Sequence, residues 1–182
     1  MRRVHPTVDP ARVAITAGAQ HAMSVVLSSI CRPGDLLLVE ELTFPGVLIL
    51  ADQLGLRLEA VPMDEGGIVP EALEEIVKLH DPRALYTIPS LHNPTTITLS
   101  DERRRALAAI ARTHDLWIVE DDVHGALLPE PVDPIGVHAP ERSFYVANTS
   151  KTLSPGLRIG FVQAPESKLE AVALAIQASM WM

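Results

Sequence analysis

One cysteine, Cys31, is all the thiol the chain has, so an internal disulfide is excluded and a reducing compartment suits it. Cys31 ends an apolar helical pattern just before Pro33-Gly34 and reads as a packing residue. Positive charge is scarce: 15 Lys and Arg stand against 23 Asp and Glu, a net charge of −8. A chain of that sign does not attract phosphate backbones, so direct nucleic-acid binding by this segment is not expected. No apolar run is long enough to span a bilayer. Residues 1–6, Met-Arg-Arg-Val-His-Pro, lack the apolar core of a signal peptide. A cytoplasmic location without a membrane partner fits all of this. Internal repeats and low-complexity tracts are missing too.

What is present is a folded domain. At 182 residues and 47% hydrophobic the chain can bury a full core, alone or as the larger part of something bigger. It opens a few residues before its first strand and stops within an apolar helical pattern at Met180-Trp181-Met182. The expectation is a fragment truncated at both ends.

The pattern alternates strand and helix. Val13 to Thr16 is a short strand. Ala19, Ala22, Met23, Val26, Leu27 and Ile30 recur at helical spacing. Leu36 to Val39 is a continuous apolar run suited to a strand buried on both faces. A helix is expected over Gly46 to Leu54, a strand over Leu56 to Val61, and a turn at 64–67. Another helix runs from Glu71 to Leu79 behind Pro70, then a strand from Ala84 to Ile88. Ser100 caps a helix over Arg103 to Arg112, though Arg103 stands where a capping box would have Glu. Leu116 to Val119 is a strand, Leu128 to Pro140 a proline-rich surface loop, and Phe144 to Ala147 and Arg158 to Ala164 the last strands. A final helix carries Leu169, Val172, Ala173, Ile176 and Met180. Such alternation gives an α/β domain around a mostly parallel sheet.

Polar, turn-forming residues follow several of these strands: Gly18-Ala19-Gln20, Asn93-Pro94, Asp121-Asp122 and Ser150-Lys151. Open α/β sheets bind ligands at the carboxyl ends of their strands, so four strand ends could meet one ligand. Lys151 is the most chemically loaded of them. An amine desolvated beside positive charge stays neutral and can form a Schiff base with an aldehyde. Taken alone, it is more often a solvated lysine at a strand end, since exposed lysines are the rule.

Five ordered motifs raise the specificity. They are Ile-Thr-Ala-Gly-Ala-Gln (15–20), Glu-Glu-Leu-Thr-Phe-Pro-Gly (40–46), His-Asn-Pro-Thr (92–95), Val-Glu-Asp-Asp-Val-His (119–124) and Ser-Lys-Thr-Leu-Ser-Pro-Gly-Leu-Arg (150–158). Together they resemble a fold-type I aminotransferase of class I/II, dependent on pyridoxal phosphate. Within that group they are most similar to the aminotransferase-like domain of the MocR branch of GntR transcriptional regulators. The resemblance implies a three-layer α/β/α fold, with residues 1–182 forming most of the large, cofactor-binding domain.

It also implies roles. The amides of Ala19 and Gln20, at a helix N-terminus, would hold the cofactor phosphate with Ser150 and Arg158. Phe44 would stack on the ring, and Asn93 would donate to the ring oxygen. Asp121, chosen over Asp122 by the family spacing, would pair with the ring nitrogen. Lys151 would be the catalytic residue that carries the cofactor. The plainer alternatives are a simple helix cap, core packing for Phe44, an Asn-Pro turn, a cap or metal site for the Asp pair, and an ion pair for Arg158. His124 replaces the usual tyrosine at the ring oxygen, and Asn148 replaces a common serine. His21 carries no assigned role. No metal site is expected.

By the same resemblance, the small domain with its carboxylate-binding arginine lies outside the chain. So do the N-terminal tyrosine segment and any winged helix-turn-helix. The implied partners are an amino acid and a 2-oxo acid, and the intact protein would be a homodimer. Two functions follow: an aminotransferase domain, or the effector-sensing domain of a MocR-type regulator. An inactive fragment is a third, plainer reading.

Overall fold

The computed structural model describes residues 9–180. Residues 1–8, read above for a signal peptide, and the last two residues of the apolar helical pattern lie outside that range. In chain order the elements are β1 (Val13–Thr16), α1 (Ala19–Ile30), β2 (Leu36–Glu40), α2 (Pro45–Gln53), β3 (Arg57–Val61), β4 (Met63–Asp64) and β5 (Gly67–Ile68). Then come α3 (Pro70–His80), β6 (Ala84–Thr87), α4 (Asp101–Thr113), β7 (Trp117–Asp121), α5 (Ile135–His138), β8 (Ser143–Asn148), β9 (Gly160–Gln163) and α6 (Leu169–Ser179).

Seven strands form one sheet in the order β1-β9-β8-β7-β6-β2-β3, and β4-β5 is a separate hairpin. The pairs β2–β3, β2–β6, β6–β7 and β7–β8 are parallel. β9 runs antiparallel to both β8 and β1. The carboxyl ends of β1, β2, β6, β7 and β8 therefore share one edge with the start of β9. In register, Thr16 and Asn148 both stand opposite Gly160.

The runs Leu36–Glu40, Ala84–Thr87 and Trp117–Asp121 are buried at every position, as central parallel strands should be. Their alternate residues feed two cores. Leu37, Val39, Tyr86, Val119, Phe144 and Val146 pack against α1, α2 and α6. Leu36, Leu38, Leu85 and Ile118 pack against α3, α4 and α5. The result is the three-layer α/β/α architecture expected. Each fully buried Leu or Phe contributes about 1.5–3 kcal/mol.

Local chemistry sets the ends. Ser100 Oγ accepts the Arg103 N–H at 3.3 Å, and Asp101 and Glu102 complement the dipole in the first turn of α4. Arg103, out of place for a capping box, instead grips Asp64 of the β4–β5 hairpin and the carbonyls of Gly67 and Ile68. Cys31 caps α1, and burial pushes its thiol up to about 11, so it packs rather than reacts.

Two expectations need correction. The 128–140 stretch is not all surface loop: α5 lies inside it, with Ile135 and Ala139 fully buried against the second core. The last strand begins at Gly160, not Arg158, because Arg158 adopts a left-handed conformation (φ 50°) that ends a short 3-10 turn. Among the described residues no helix is long and apolar enough to cross a membrane.

Candidate functional site

At one end of the carboxyl edge, β1 turns through Gly18 into α1. Gly18 has φ +87°, a region that side chains strain to reach, and it gives α1 no side-chain cap. The first-turn amides of Ala19 and Gln20 are thus left to whatever lies beyond the helix end. A Cβ added to Gly18 would lie 2.9 Å from Nη2 of Arg158. The start of β9 packs so closely there that a Cβ on Gly160 would strike the Gly18 carbonyl. Arg158 is exposed rather than held within a strand, so its guanidinium is laid over a helix N-terminus by the turn that precedes Gly160. A cation beside free amides is an anion site.

Beside it, Gln20 donates from Nε2 to the Gly46 carbonyl at 3.0 Å. The Phe44 ring folds over Gly46 so tightly that a Cβ at Gly46 would run into it. Half-buried Phe44, which caps α2, and Gln20 are therefore neighbours.

The middle of the edge carries the acids. Asp121 ends β7, is buried, and accepts the Tyr86 hydroxyl at Oδ2, 2.7 Å away. Burial pushes its carboxyl up to about 6 against that hydrogen bond. The Tyr86 phenol lies well above its usual value because it is buried beside this carboxylate. Asp122 has the other aspect. It accepts the Tyr145 hydroxyl at 2.6 Å, and Tyr145 lies between Phe144 and Val146, which enter the first core. Only Asp121 lies on the α1 face of the sheet.

His124 is partly buried, and its Nδ1 has no hydrogen-bond partner among the described residues. Burial and the charge of Lys151 both lower its pKa, so the imidazole and that ammonium are close. Lys151 itself is exposed, in keeping with the solvated strand-end placement that the sequence alone favoured. It stands in a turn tied by Thr149 N–H to the Ile159 carbonyl at 3.1 Å and by Ser150 N–H to Asn148 Oδ1 at 3.1 Å. Asn148 thus shapes the turn. Asn93 follows buried His92 in the segment between β6 and α4, and a cis bond joins it to Pro94. The side chains of Asn93, Ser150 and Lys151 make no hydrogen bond among the described residues.

Behind the edge lies a buried polar layer that sequence reasoning left unassigned. Arg104, fully buried on α4, reaches Glu120 at 3.3 Å, the Pro89 carbonyl at 2.7 Å, Ser90 Oγ at 3.0 Å and the Leu99 carbonyl at 3.1 Å. Glu120 is pushed up to about 8, first by burial and then by Asp122. Tyr86 could have been noticed as a phenol in an apolar central strand, since a buried hydroxyl needs a partner.

Comparison with known proteins defines the class. The family described as aminotransferase class I and II matches residues 3–182, and the chain belongs to it. Its relatives divide in kind. The HTH-type transcriptional regulator YdeF of Bacillus subtilis is 34% identical over 87% of this chain and 34% of its own length. The aromatic-amino-acid aminotransferase 1 of Thermococcus litoralis is 31% identical over 89% of this chain and 41% of its own. The chain thus spans about a third to under half of these relatives. Among solved structures, an archaeal alanine:glyoxylate aminotransferase superposes with a TM-score of 0.88 at 31% identity, covering 96% of this chain and 45% of that one. A Pyrococcus horikoshii kynurenine aminotransferase solved with PMP, a form of the cofactor, superposes at 0.87 with 29% identity, covering 92% and 43%. Pyridoxal phosphate is the cofactor of this family, and the residues present suit it. A guanidinium beside helix-end amides at Gly18, the buried carboxylate of Asp121 and the His124 Nδ1, unpartnered among the described residues, are groups of the kind that an anionic phosphate, a protonated ring nitrogen and a ring oxygen would need.

Proposed function

We propose that residues 1–182 form the pyridoxal phosphate-binding large domain of an aminotransferase-like protein that moves an amino group between an amino acid and a 2-oxo acid. The observation that carries this reading is the Arg158 guanidinium over the uncapped end of α1, on the same sheet edge as buried Asp121. Ala19 and Gln20 amides, Ser150 and Arg158 hold the phosphate. Phe44 covers a ring face, Asp121 keeps the ring nitrogen protonated, and Asn93 and His124 donate to the ring oxygen. When bound, the cofactor supplies an aldehyde and an electron-poor ring that accepts charge from the substrate's α-carbon. Lys151 Nζ would supply the amine that holds the cofactor and the base that moves the substrate's α-proton. His124, whose pKa is lowered, stays neutral beside it and leaves Lys151 as the base. The intact protein works as a homodimer in the cytoplasm.

The second reading is an effector-sensing domain of a MocR/GntR-type regulator, with DNA bound by another domain. The regulator among the relatives favours it. Steady transamination of an amino-acid panel supports the enzyme. Cofactor uptake without turnover, with a winged helix encoded upstream in frame, supports the regulator.

The test of the shared core is a visible spectrum with added pyridoxal phosphate, before and after borohydride, beside Lys151→Ala. A reducible adduct lost in the variant is expected, and its retention overturns the assignment. Asp121→Ala should weaken binding more than Asp122→Ala; the reverse order would reassign the carboxylate.

A further inference from the structure

Glu40 and His92 are both fully buried, and none of the roles above uses them. His92 Nε2 lies 3.2 Å from Glu40 Oε2. The same carboxylate accepts the Thr87 hydroxyl at 2.6 Å and the Ile88 N–H at 3.0 and 3.2 Å. On its other side His92 Nδ1 meets the Thr95 hydroxyl at 2.8 Å. Its backbone closes the following turn, with His92 N–H on the Ile97 carbonyl at 2.8 Å and Thr96 N–H on the His92 carbonyl at 2.6 Å.

Burying such a pair gains little stability over an apolar pair of the same volume. The Nε2–Oε2 contact is a close approach without hydrogen-bond geometry; direction comes from the hydrogen bonds on either side of it, Thr87 and Ile88 on Glu40 and Thr95 on His92, which fix angles that apolar contacts leave free. The two residues occupy telling places. Glu40 is the last residue of β2, at the root of the segment that leads to Phe44. His92 directly precedes Asn93. One buried contact therefore ties together the roots of two segments that carry residues assigned to the cofactor ring.

We propose that the Glu40–His92 pair is a positioning device that holds the Asn93 amide toward the ring oxygen of the cofactor. This rests on the cofactor reading above. Glu40 could also act by charge alone, since its carboxylate contributes to raising Asp121, and the test must separate the two routes.

Four chains do so: wild type, Glu40→Gln, Asn93→Ala and the double variant, each checked for folding by circular dichroism. With pyridoxal phosphate bound, the readout is the pH midpoint of the change in visible absorbance. A donor to the ring oxygen stabilises negative charge there and keeps the midpoint low. Asn93→Ala should raise it by about one unit, the size of one hydrogen bond to a charged oxygen. Glu40→Gln should raise it by about half a unit, and the double variant should match Asn93→Ala alone. A Glu40→Gln midpoint equal to wild type overturns the proposal. So does a shift that persists in full on the Asn93→Ala background, which would mean that the charge acts through Asp121. If Glu40→Gln does not fold, Thr95→Val, which frees His92 Nδ1, should raise the midpoint in its place, and a wild-type value there counts equally against the proposal. A wild-type chain that takes up no pyridoxal phosphate overturns both readings; uptake with unmoved midpoints overturns only this one.

Discussion

The Arg158 guanidinium rests against Gly18, with Nη2 where a side chain at Gly18 would have to start, 2.9 Å from its Cβ position. The arginine and the bare helix end therefore depend on each other. Gly18→Ala should both strain a backbone at φ +87° and push the guanidinium away. Losing a charge-assisted contact costs about 1.5–3 kcal/mol, so the Kd for pyridoxal phosphate should rise about tenfold or more. Arg158→Lys, which lacks the planar fork, should act in the same direction. Pyridoxal, which has no phosphate, should bind the variants and the wild type alike. Absorbance titrations with both ligands check this.

Much of this site could be read from the sequence because its parts lie in contiguous signals. Glycine before a helical pattern, aspartates after an apolar strand and a lysine in a turn each announce a strand end. The sheet then needs only its parallel register to align them. The buried layer was less legible. Tyr86 and Asp121 are 35 residues apart and Arg104 and Glu120 are 16 apart, and neither contact leaves a period in the chain. Helix α5 was missed for a similar reason: four prolines between 129 and 140 outweigh a four-residue helix whose burial depends on α4 and β8. The place of Arg158 was misjudged because an apolar run does not reveal that its first residue is left-handed.

Tyr86→Phe should change the pH dependence of cofactor binding more than the fold. The hydroxyl is the main group that lowers the Asp121 carboxyl against burial. Removing it raises that carboxyl above about 6, so more of the free chain is protonated near neutrality and cannot pair with the ring nitrogen. One such hydrogen bond is worth about 1–1.5 kcal/mol, so affinity near pH 6.5 should fall by about tenfold and recover toward pH 8. Dissociation constants measured across pH decide it, and an equal loss at every pH would mean that Tyr86 acts by packing.

Arg104→Met should be among the most damaging single changes. It strands the Glu120 carboxyl and strips donors from the Pro89 and Leu99 carbonyls. Each buried group left without its partner costs about 1–3 kcal/mol, whereas replacing both sides of the pair with apolar groups is often near neutral. Arg104→Met with Glu120→Leu should therefore be more stable than Arg104→Met alone. Urea denaturation of the three chains measures the difference, and additive losses would show that the pair is not the unit that matters.

Two buried carboxyls should make the cofactor-free chain lose stability as the pH rises. Burial pushes Glu120 up to about 8 from an ordinary 4.5, and Asp121 up to about 6 from 3.8. In that interval the folded chain keeps a proton that the unfolded chain has released. The stabilisation is complete below the unfolded values and is lost as the pH climbs through the folded ones. The Tm should fall from about pH 4 upward, with Glu120 alone responsible above about pH 6. Glu120→Gln should flatten that upper part. Pyridoxal phosphate should flatten the lower part, because a protonated ring nitrogen opposite Asp121 favours its charged form and returns its carboxyl toward the ordinary range. Melting curves at constant ionic strength, with and without the cofactor, are the measurement; a Tm that rises from pH 5 to 8 in the cofactor-free chain would contradict it.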